Sequence, residues 1–166
     1  MTLYGRAAVA GSAAGLIGAA AMAAGTKLEQ TATGRPDSYV PGRTLARLIG
    51  LRDPDRDRWT RNMLMHYMAG ATAGAVRGVM AAANLRGPFA SLMHANLRLG
   101  FDQTLENATG VGAPPWTWPR DELLVDVGSK TLYALVTGAV ADALVEPSPK
   151  SSARRAALGR RLKGFA

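Results

Sequence analysis

The chain has 166 residues, a formal net charge of +8 and a hydrophobic fraction of 48%, which is the composition of neither a disordered chain nor a disulfide-rich secreted domain. Because it contains no cysteine, disulfides, thiolate metal sites and cysteine nucleophiles are excluded. The basic residues cluster beside long apolar stretches with few aromatic residues between them, which favours a membrane surface over a nucleic acid as the partner.

The first apolar stretch covers residues 7–25 and contains no charged residue. As a helix it has a length of about 28 Å, close to the ~30 Å hydrocarbon thickness of a bilayer. The stretch therefore predicts a transmembrane helix. A cleavable signal peptide is the alternative, because Arg6 precedes the stretch and Ala21-Met22-Ala23 is similar to a small-residue cleavage site.

The segment 26–61 carries eight of the 20 Lys and Arg residues and contains the turn-forming sequences Thr33-Gly34-Arg35-Pro36-Asp37 and Pro41-Gly42. A short amphipathic patch covers residues 44–51. These features predict a loop that lies on the membrane surface.

Two further apolar stretches, residues 62–85 and 123–145, have spanning length although each contains charged residues. Between them, residues 88–109 predict a helix with a polar side chain at every fourth position. This helix either lies at the membrane surface or is a fourth transmembrane helix that buries its polar stripe between neighbours. The stripe consists of His94, Arg98, Asp102 and Glu106.

Glycines in the predicted spans recur at small-xxx-small spacing, which lets helix backbones approach closely in lipid. They predict helix-packing faces and comprise Gly11, Gly15, Gly18, Gly70, Gly74, Gly78 and Gly138.

The positions of Lys and Arg predict an orientation. With three spans, residues 26–61 and the basic tail, residues 147–166, share one side with 14 basic residues, against four on the other. This predicts a cytoplasmic tail and an N-terminus outside. If residues 88–109 also cross the membrane, the bias disappears. Trp116 and Trp118 precede the last span and are predicted to be interfacial anchors.

Charged residues inside a span are costly unless they face protein, a cavity or an opposite charge. Asp126 and Lys130 are one helical turn apart and can neutralise each other. We therefore predict a structural polar network, with a proton or ion path as the alternative. Its members are His66, Arg77, His94, Arg98, Asp102, Asp126 and Lys130.

The histidines and acidic residues do not occur at spacings typical of a metal site. The sequence also contains no phosphate-binding loop, nucleophile elbow or dinucleotide-binding motif. The sequence therefore predicts neither a metal nor a cofactor, and no enzymatic activity.

Several motifs resemble the YagU-like family of small bacterial inner-membrane proteins. They are His66-Tyr67-Met68-Ala69-Gly70 followed by Gly74 and Gly78, then Pro114-Pro115, Asp121-Glu122-Leu123-Leu124 and Lys130-Thr131-Leu132-Tyr133-Ala134. The likeness covers about residues 5–145. It implies a helical protein of the bacterial inner membrane and supplies no reaction. Where that family tends to place a second histidine before the final tyrosine, this chain has Lys130.

The sequence as a whole predicts an all-α integral membrane bundle over residues 1–146, with three transmembrane helices and one amphipathic helix, or four transmembrane helices. The predicted function is a non-catalytic accessory or structural subunit that packs on other transmembrane proteins, or on copies of itself, through Gly and Ala faces, with membrane lipid around it. Two alternatives stay open: a small transporter or ion-responsive protein, and a soluble basic helical domain that binds acidic polymers.

Overall fold

The computed structural model describes residues 1–153. Within this range the chain is helical and contains no strand, so the all-α prediction is confirmed. The main helices are α1 (Leu3–Thr33), α2 (Val40–Leu48), α3 (Arg58–Ala82), α4 (Gly87–Ala108) and α5 (Arg120–Leu144), and a 3-10 turn (Pro115–Thr117) precedes α5.

The helix ends follow from local sequence. The hydroxyl of Thr2 accepts a hydrogen bond from the N–H of Gly5 at 3.1 Å and caps the start of α1. Gly34 ends that helix with φ +73°, a left-handed conformation that a residue without Cβ adopts at low cost. Asp121 and Glu122 lie in the first turn of α5, where negative charge is favourable.

The predicted boundaries need correction at the loop 26–61. Helix α1 continues to Thr33, α2 begins at Val40 rather than at the predicted patch 44–51, and α3 begins at Arg58. Pro41 lies in the first turn of α2, where proline is favoured, and the N–H of Gly42 donates to the Asn62 side chain of α3 at 3.0 Å. Within residues 26–61, the irregular parts are the two connections that flank α2.

The long helices lie side by side in alternating directions. Gly11 of α1 is adjacent to Gly78 of α3 and Gly15 is adjacent to Gly70, so these helices are antiparallel. Helix α1 is also antiparallel to α5, since Gly18 is adjacent to Thr137 and Gly25 to Leu132. Helices α3 and α5 are therefore parallel to each other.

Helix α4 packs lengthwise on α5 in the opposite direction. Gly87 at its start contacts Asp142 near the end of α5, and Asp102 near its end lies beside Lys130. The polar stripe of α4 faces the bundle, with His94 and Arg98 both buried. Of the two sequence predictions for this helix, the arrangement matches the one that buries the stripe between neighbours.

This arrangement corrects the three-span topology. A three-span chain with a shared basic side requires α3 and α5 to be antiparallel, whereas the two helices are parallel. The loop 34–57 and the chain that leaves α5 therefore lie at opposite ends of the bundle. The basic residues on which the orientation was based no longer favour one side.

The interior consists mostly of small and polar residues, with Leu45, Met80 and Val145 as larger apolar exceptions, and most large apolar residues lie outside. The buried positions of α1 are all alanine or glycine, and the largest fully buried side chains of the described residues include Arg77, Tyr133 and His94. Exposed positions include Leu16 and Ile17 of α1, and Phe89, Leu97 and Phe101 of α4. This distribution is the reverse of that in a water-soluble bundle.

Within residues 1–153, α1 and α5 have the length and apolar composition of membrane spans. Helices α3 and α4, which contain Arg77 and Arg98, do not meet the same criterion. The predicted span 62–85 is therefore not supported by composition alone.

The first residues after α5 are fastened to the end of α3. The N–H of Ser148 donates to the carbonyl of Ala82 at 2.8 Å, and the Ser151 hydroxyl donates to the same oxygen at 3.1 Å. The rest of the predicted basic tail, residues 154–166, lies outside the described residues.

Candidate functional site

The contact between α1 and α3 is a seam of glycines, which we call the glycine seam: Gly11, Gly15, Gly70, Gly74 and Gly78. A Cβ on Gly74 would lie 2.6 Å from the Cα of Gly15, and a Cβ on Gly11 would lie 2.7 Å from the Cα of Gly78. No side chain larger than hydrogen fits at these positions without a shift of the backbone.

The remaining predicted packing glycines also face the interior. Gly18 lies against Tyr133 and Thr137 of α5, and Gly138 lies against Ser91 of α4 and the guanidinium of Arg77. The predicted glycine faces are therefore occupied by contacts within the chain, and they do not form a surface for another protein.

Three side chains tie neighbouring helices through backbone carbonyls. The Tyr133 hydroxyl donates to the carbonyl of Gly70 at 2.6 Å. His66 Nε2 lies 2.8 Å from the carbonyl oxygen of Ala19, and His94 Nε2 lies 2.9 Å from that of Ala73. A carbonyl oxygen only accepts, so in both histidines Nε2 carries the proton. The two histidines therefore act as helix-to-helix ties.

One cluster of charges lies at the end of the bundle that contains the α3–α4 connection. We call it the Arg77 cluster. The fully buried Arg77 donates to Asp142 at 2.8 Å. The other carboxylate oxygen of Asp142 accepts from the N–H of Gly87, the first residue of α4, at 2.8 Å. Arg86 donates to the carbonyl oxygens of Asp142 and, at 2.6 Å, of Val145. This cluster joins α3, α4 and α5.

A second cluster, the Lys130 cluster, lies toward the opposite end. Lys130 donates to Asp126 at 2.6 Å, and its ammonium lies 3.8 Å from Asp102. Asp102 also accepts from Arg98 Nε at 2.8 Å. The Arg98 guanidinium lies 4.7 Å from the centre of the Tyr133 ring, a cation–π distance. Both cations of this cluster are almost completely buried.

The predicted single polar network is therefore two separate ion clusters connected by the carbonyl ties. The structure brings Arg98, Asp102, Asp126 and Lys130 together, as the sequence predicts, but it pairs Arg77 with Asp142, which the sequence analysis does not include in the network. The sequence contains a signal for this pair: Arg77 is the only Asp, Glu, Lys or Arg residue in the apolar stretch 62–85, and Asp142 is the only one in the second half of α5.

A cavity of 460 Å³ adjoins the Lys130 cluster. It lies where the end of α1, the starts of α3 and α5 and the end of α4 meet, and α2 covers part of it. Arg98, Asp102, Asp126 and Lys130 are in its wall together with His66 and Thr44. Of these buried side chains, Arg98 Nη1 and Thr44 Oγ1 have no hydrogen-bond partner among the described residues. The cavity is partly open.

Two ion pairs, one partly buried and one exposed, flank the outer part of the cavity. Arg35 donates to Glu29 at 2.6 Å, and this hydrogen bond lowers the pKa of the Glu29 carboxyl. Lys27 donates to Asp37 at 2.5 Å and likewise lowers the pKa of Asp37. Both pairs fasten the chain after α1 to the last turns of that helix.

The predicted interfacial tryptophans occupy different surroundings. Trp116 is 84% exposed. The indole N–H of Trp118 donates to the carbonyl of Ala113 at 2.7 Å, and its ring lines the cavity together with Trp59 of α3. Trp59 is a cavity residue that the sequence analysis does not identify.

Among residues 1–153, no group of three or more His, Cys, Asp and Glu residues has a metal-binding arrangement. Comparison of the chain with protein families, with curated proteins and with solved structures finds no match. The resemblance to the YagU-like family therefore stays a prediction.

Proposed function

We propose that this chain is an integral membrane protein in which α1, α3, α4 and α5 all cross the bilayer. The observation that carries the proposal is the reversed distribution of side chains. Buried Arg77, Arg98 and Lys130 are paired inside the bundle, whereas leucine, phenylalanine and methionine side chains cover the outside. Lipid is the solvent in which such a surface is stable, and paired interior charges are the form that membrane proteins tolerate.

The glycine seam supports the same proposal. In lipid, helices do not associate through the hydrophobic effect, and close backbone approach at small residues supplies the packing energy instead. It also supports retention of α1, because a helix whose glycines fit against the glycines of α3 is a structural part of the bundle rather than a removable leader.

The topology can be tested with single cysteines, since the natural chain has none. Ala83→Cys and Asn107→Cys place an exposed thiol at either end of α4. A membrane-impermeant maleimide added to right-side-out and inside-out vesicles should label the two variants from opposite sides. Labelling of both variants from the same side would contradict a membrane-crossing α4. Release of the protein from membranes by alkaline carbonate would contradict membrane integration altogether and would favour a soluble basic domain.

Within the membrane class, we propose that the protein receives a small ionic solute at one face of the bilayer, as a small transporter or ion-responsive protein. The cavity beside the Lys130 cluster supports this function, because buried charges adjoin a partly open volume near one end of the bundle. Proton or monovalent-cation flux into proteoliposomes is the direct measurement. Asp126→Asn should reduce the flux, whereas Glu146→Gln, an exposed position beyond α5, should not. Equal flux in the wild type and Asp126→Asn, or none in either, would exclude this function.

The accessory-subunit hypothesis needs a different basis from the one the sequence suggests. The glycine faces pack within the chain, so a partner would contact the outer apolar surface, for example Leu97 and Phe101 of α4. Purification in mild detergent tests this hypothesis. A larger assembly or a homo-oligomer is expected, and a monomer that captures no other membrane protein would contradict it. The bacterial inner membrane remains the predicted location.

A further inference from the structure

Arg98 has a hydrogen-bond donor that the bundle does not use. Its Nε donates to both carboxylate oxygens of Asp102, at 3.0 and 2.8 Å. The guanidinium lies over the Tyr133 ring, with its carbon 4.7 Å from the ring centre. The Arg98 side chain is only 4% exposed, and its Nη1 has no hydrogen-bond partner among the described residues. A buried donor without an acceptor is costly, so this atom favours a ligand that supplies one.

The cavity of 460 Å³ offers space for such a ligand, because Arg98 is part of its wall. Its volume is within the range of small-molecule sites. Each of the four long helices contributes a partly buried apolar side chain to the same wall: Met22 of α1, Met63 of α3, Leu105 of α4 and Val125 of α5. The wall therefore matches an organic molecule that carries a hydrogen-bond acceptor.

The charges of the wall indicate that this molecule is neutral. Each cationic side chain that the structure places in the wall has a carboxylate within 2.8 Å, and these side chains are Lys27, Arg35, Arg98 and Lys130. Glu106 and Glu122 also line the wall and interact electrostatically with its cations. An anionic ligand would therefore meet no uncompensated cation in the described part of the wall. A cationic ligand would bring a second positive charge to the free N–H of Arg98, so an uncharged ligand avoids both costs.

We propose that the cavity binds a neutral organic molecule whose carbonyl oxygen accepts a hydrogen bond from Arg98 Nη1 and whose apolar part contacts the four apolar side chains of the wall. A carbonyl oxygen only accepts, so it satisfies the free donor without adding another donor. The proposal goes beyond the proposed function, because it concerns an uncharged ligand and requires neither ion flux nor a particular topology.

The probe is acetophenone, a phenyl ring with one carbonyl group, and equilibrium dialysis of the purified full-length protein in detergent measures its binding against detergent alone. Saturable binding is expected. Benzoate and benzyltrimethylammonium, the anionic and cationic probes, should bind at least about tenfold more weakly, because burial of a charge without a partner is costly. The absence of saturable acetophenone binding would overturn the proposal, and so would binding of either charged probe as tight as that of acetophenone.

The role of Arg98 is tested with α-methylstyrene, in which a CH₂ group replaces the carbonyl oxygen of acetophenone. Arg98→Lys keeps a positive charge beside Asp102 but removes Nη1. The affinity of acetophenone relative to α-methylstyrene should fall about tenfold in this variant, since a hydrogen bond from a charged donor contributes about one order of magnitude. This ratio cancels the partition of each probe into detergent when the two proteins are compared. Arg52→Lys, at an exposed arginine outside the wall, is the matched control and should keep the wild-type ratio. A wild-type ratio in Arg98→Lys would overturn the assignment.

A second measurement needs no variant, in case Arg98→Lys does not fold. Infrared spectroscopy of acetophenone labelled with ¹³C at the carbonyl should show a lower C=O stretching frequency for the bound ketone than for the ketone in protein-free detergent. An unchanged frequency would overturn the proposed hydrogen bond. If acetophenone binds as expected while proteoliposomes show no ion flux, the proposed ion function fails and the ligand site stands. If flux is present and acetophenone does not bind, the ligand site fails and the ion function stands.

Discussion

Arg77, a side chain with no exposed surface, donates to Asp142 at 2.8 Å across 65 positions of sequence. The same carboxylate accepts the N–H of Gly87 and so occupies the N-terminus of α4, where a negative charge is favourable. The contact therefore neutralises a cation inside the bundle and fixes the start of the neighbouring helix.

We expect Asp142→Ala to destabilise the protein by about 3–5 kcal/mol, because it leaves a buried guanidinium without a counter-charge and removes the hydrogen bond to α4. Thermal unfolding in detergent measures the loss. The double variant Arg77→Met/Asp142→Leu removes both charges and should lose less than Asp142→Ala alone. An Asp142→Ala protein as stable as the wild type would show that the pair does not support the fold.

The glycine seam predicts that the stability of the protein depends strongly on side-chain size at its positions. Gly74→Ala places a Cβ 2.6 Å from the Cα of Gly15, so α1 and α3 must separate, at a cost of about 1–3 kcal/mol or more. Gly128→Ala is the matched control in α5, because a Cβ there has no neighbour within 4 Å. It should be neutral or stabilise the helix by about 0.5–1 kcal/mol. Similar melting temperatures for the two variants would contradict the close packing of α1 and α3 at the glycine seam.

Tyr133→Phe tests the tie between α5 and α3. The variant keeps the ring beneath Arg98 but loses the hydrogen bond to the Gly70 carbonyl, so a loss of about 0.5–1.5 kcal/mol is expected. Tyr4→Phe removes a hydroxyl from a half-exposed ring near the start of α1 and serves as the control. Equal stability of the two variants would mean that the buried hydroxyl contributes nothing.

The Arg35–Glu29 pair predicts a local response to acid. Because the hydrogen bond lowers the pKa of Glu29 in the folded chain, its stabilising contribution is complete above the ordinary value of 4.5 and is lost as the pH falls through the lowered pKa. Amide hydrogen exchange of residues 29–37, measured relative to the glycine seam and corrected for the intrinsic exchange rate, should therefore increase below pH 4.5. In Glu29→Gln the increase due to this pair should be absent.

The helices of this protein were predictable to different degrees. The uncharged stretch 7–25 and the four-residue period of the α4 stripe report on local geometry, and both helices are present. The start of α2 has a local signal in Pro41, which is favoured in the first turn of a helix, but the sequence analysis interprets Pro41-Gly42 as a turn. The contact of Gly42 with Asn62, a partner distant in sequence, has no local signal.

In the candidate site, too, contacts within one helix were predictable from the sequence and contacts between helices were not. Asp126 and Lys130 are four residues apart on one helix, so their pairing follows from helical geometry. The pairing of Arg77 with Asp142 depends on α3 and α5 being parallel, and this in turn depends on α4 running the length of the bundle. Spacing of glycines predicts that two backbones can approach closely, but it does not reveal that the partner helix belongs to the same chain.

The small residues inside the bundle have a consequence for sequence divergence. At the seam a single added carbon displaces a backbone, while on the exposed outer side leucine, phenylalanine and methionine can replace one another at little cost. Homologous chains should therefore vary freely on their outer faces and keep volume, rather than hydrophobicity, constant inside. A homologue search weighted by small-residue spacing should be more sensitive for this fold than one weighted by apolar character.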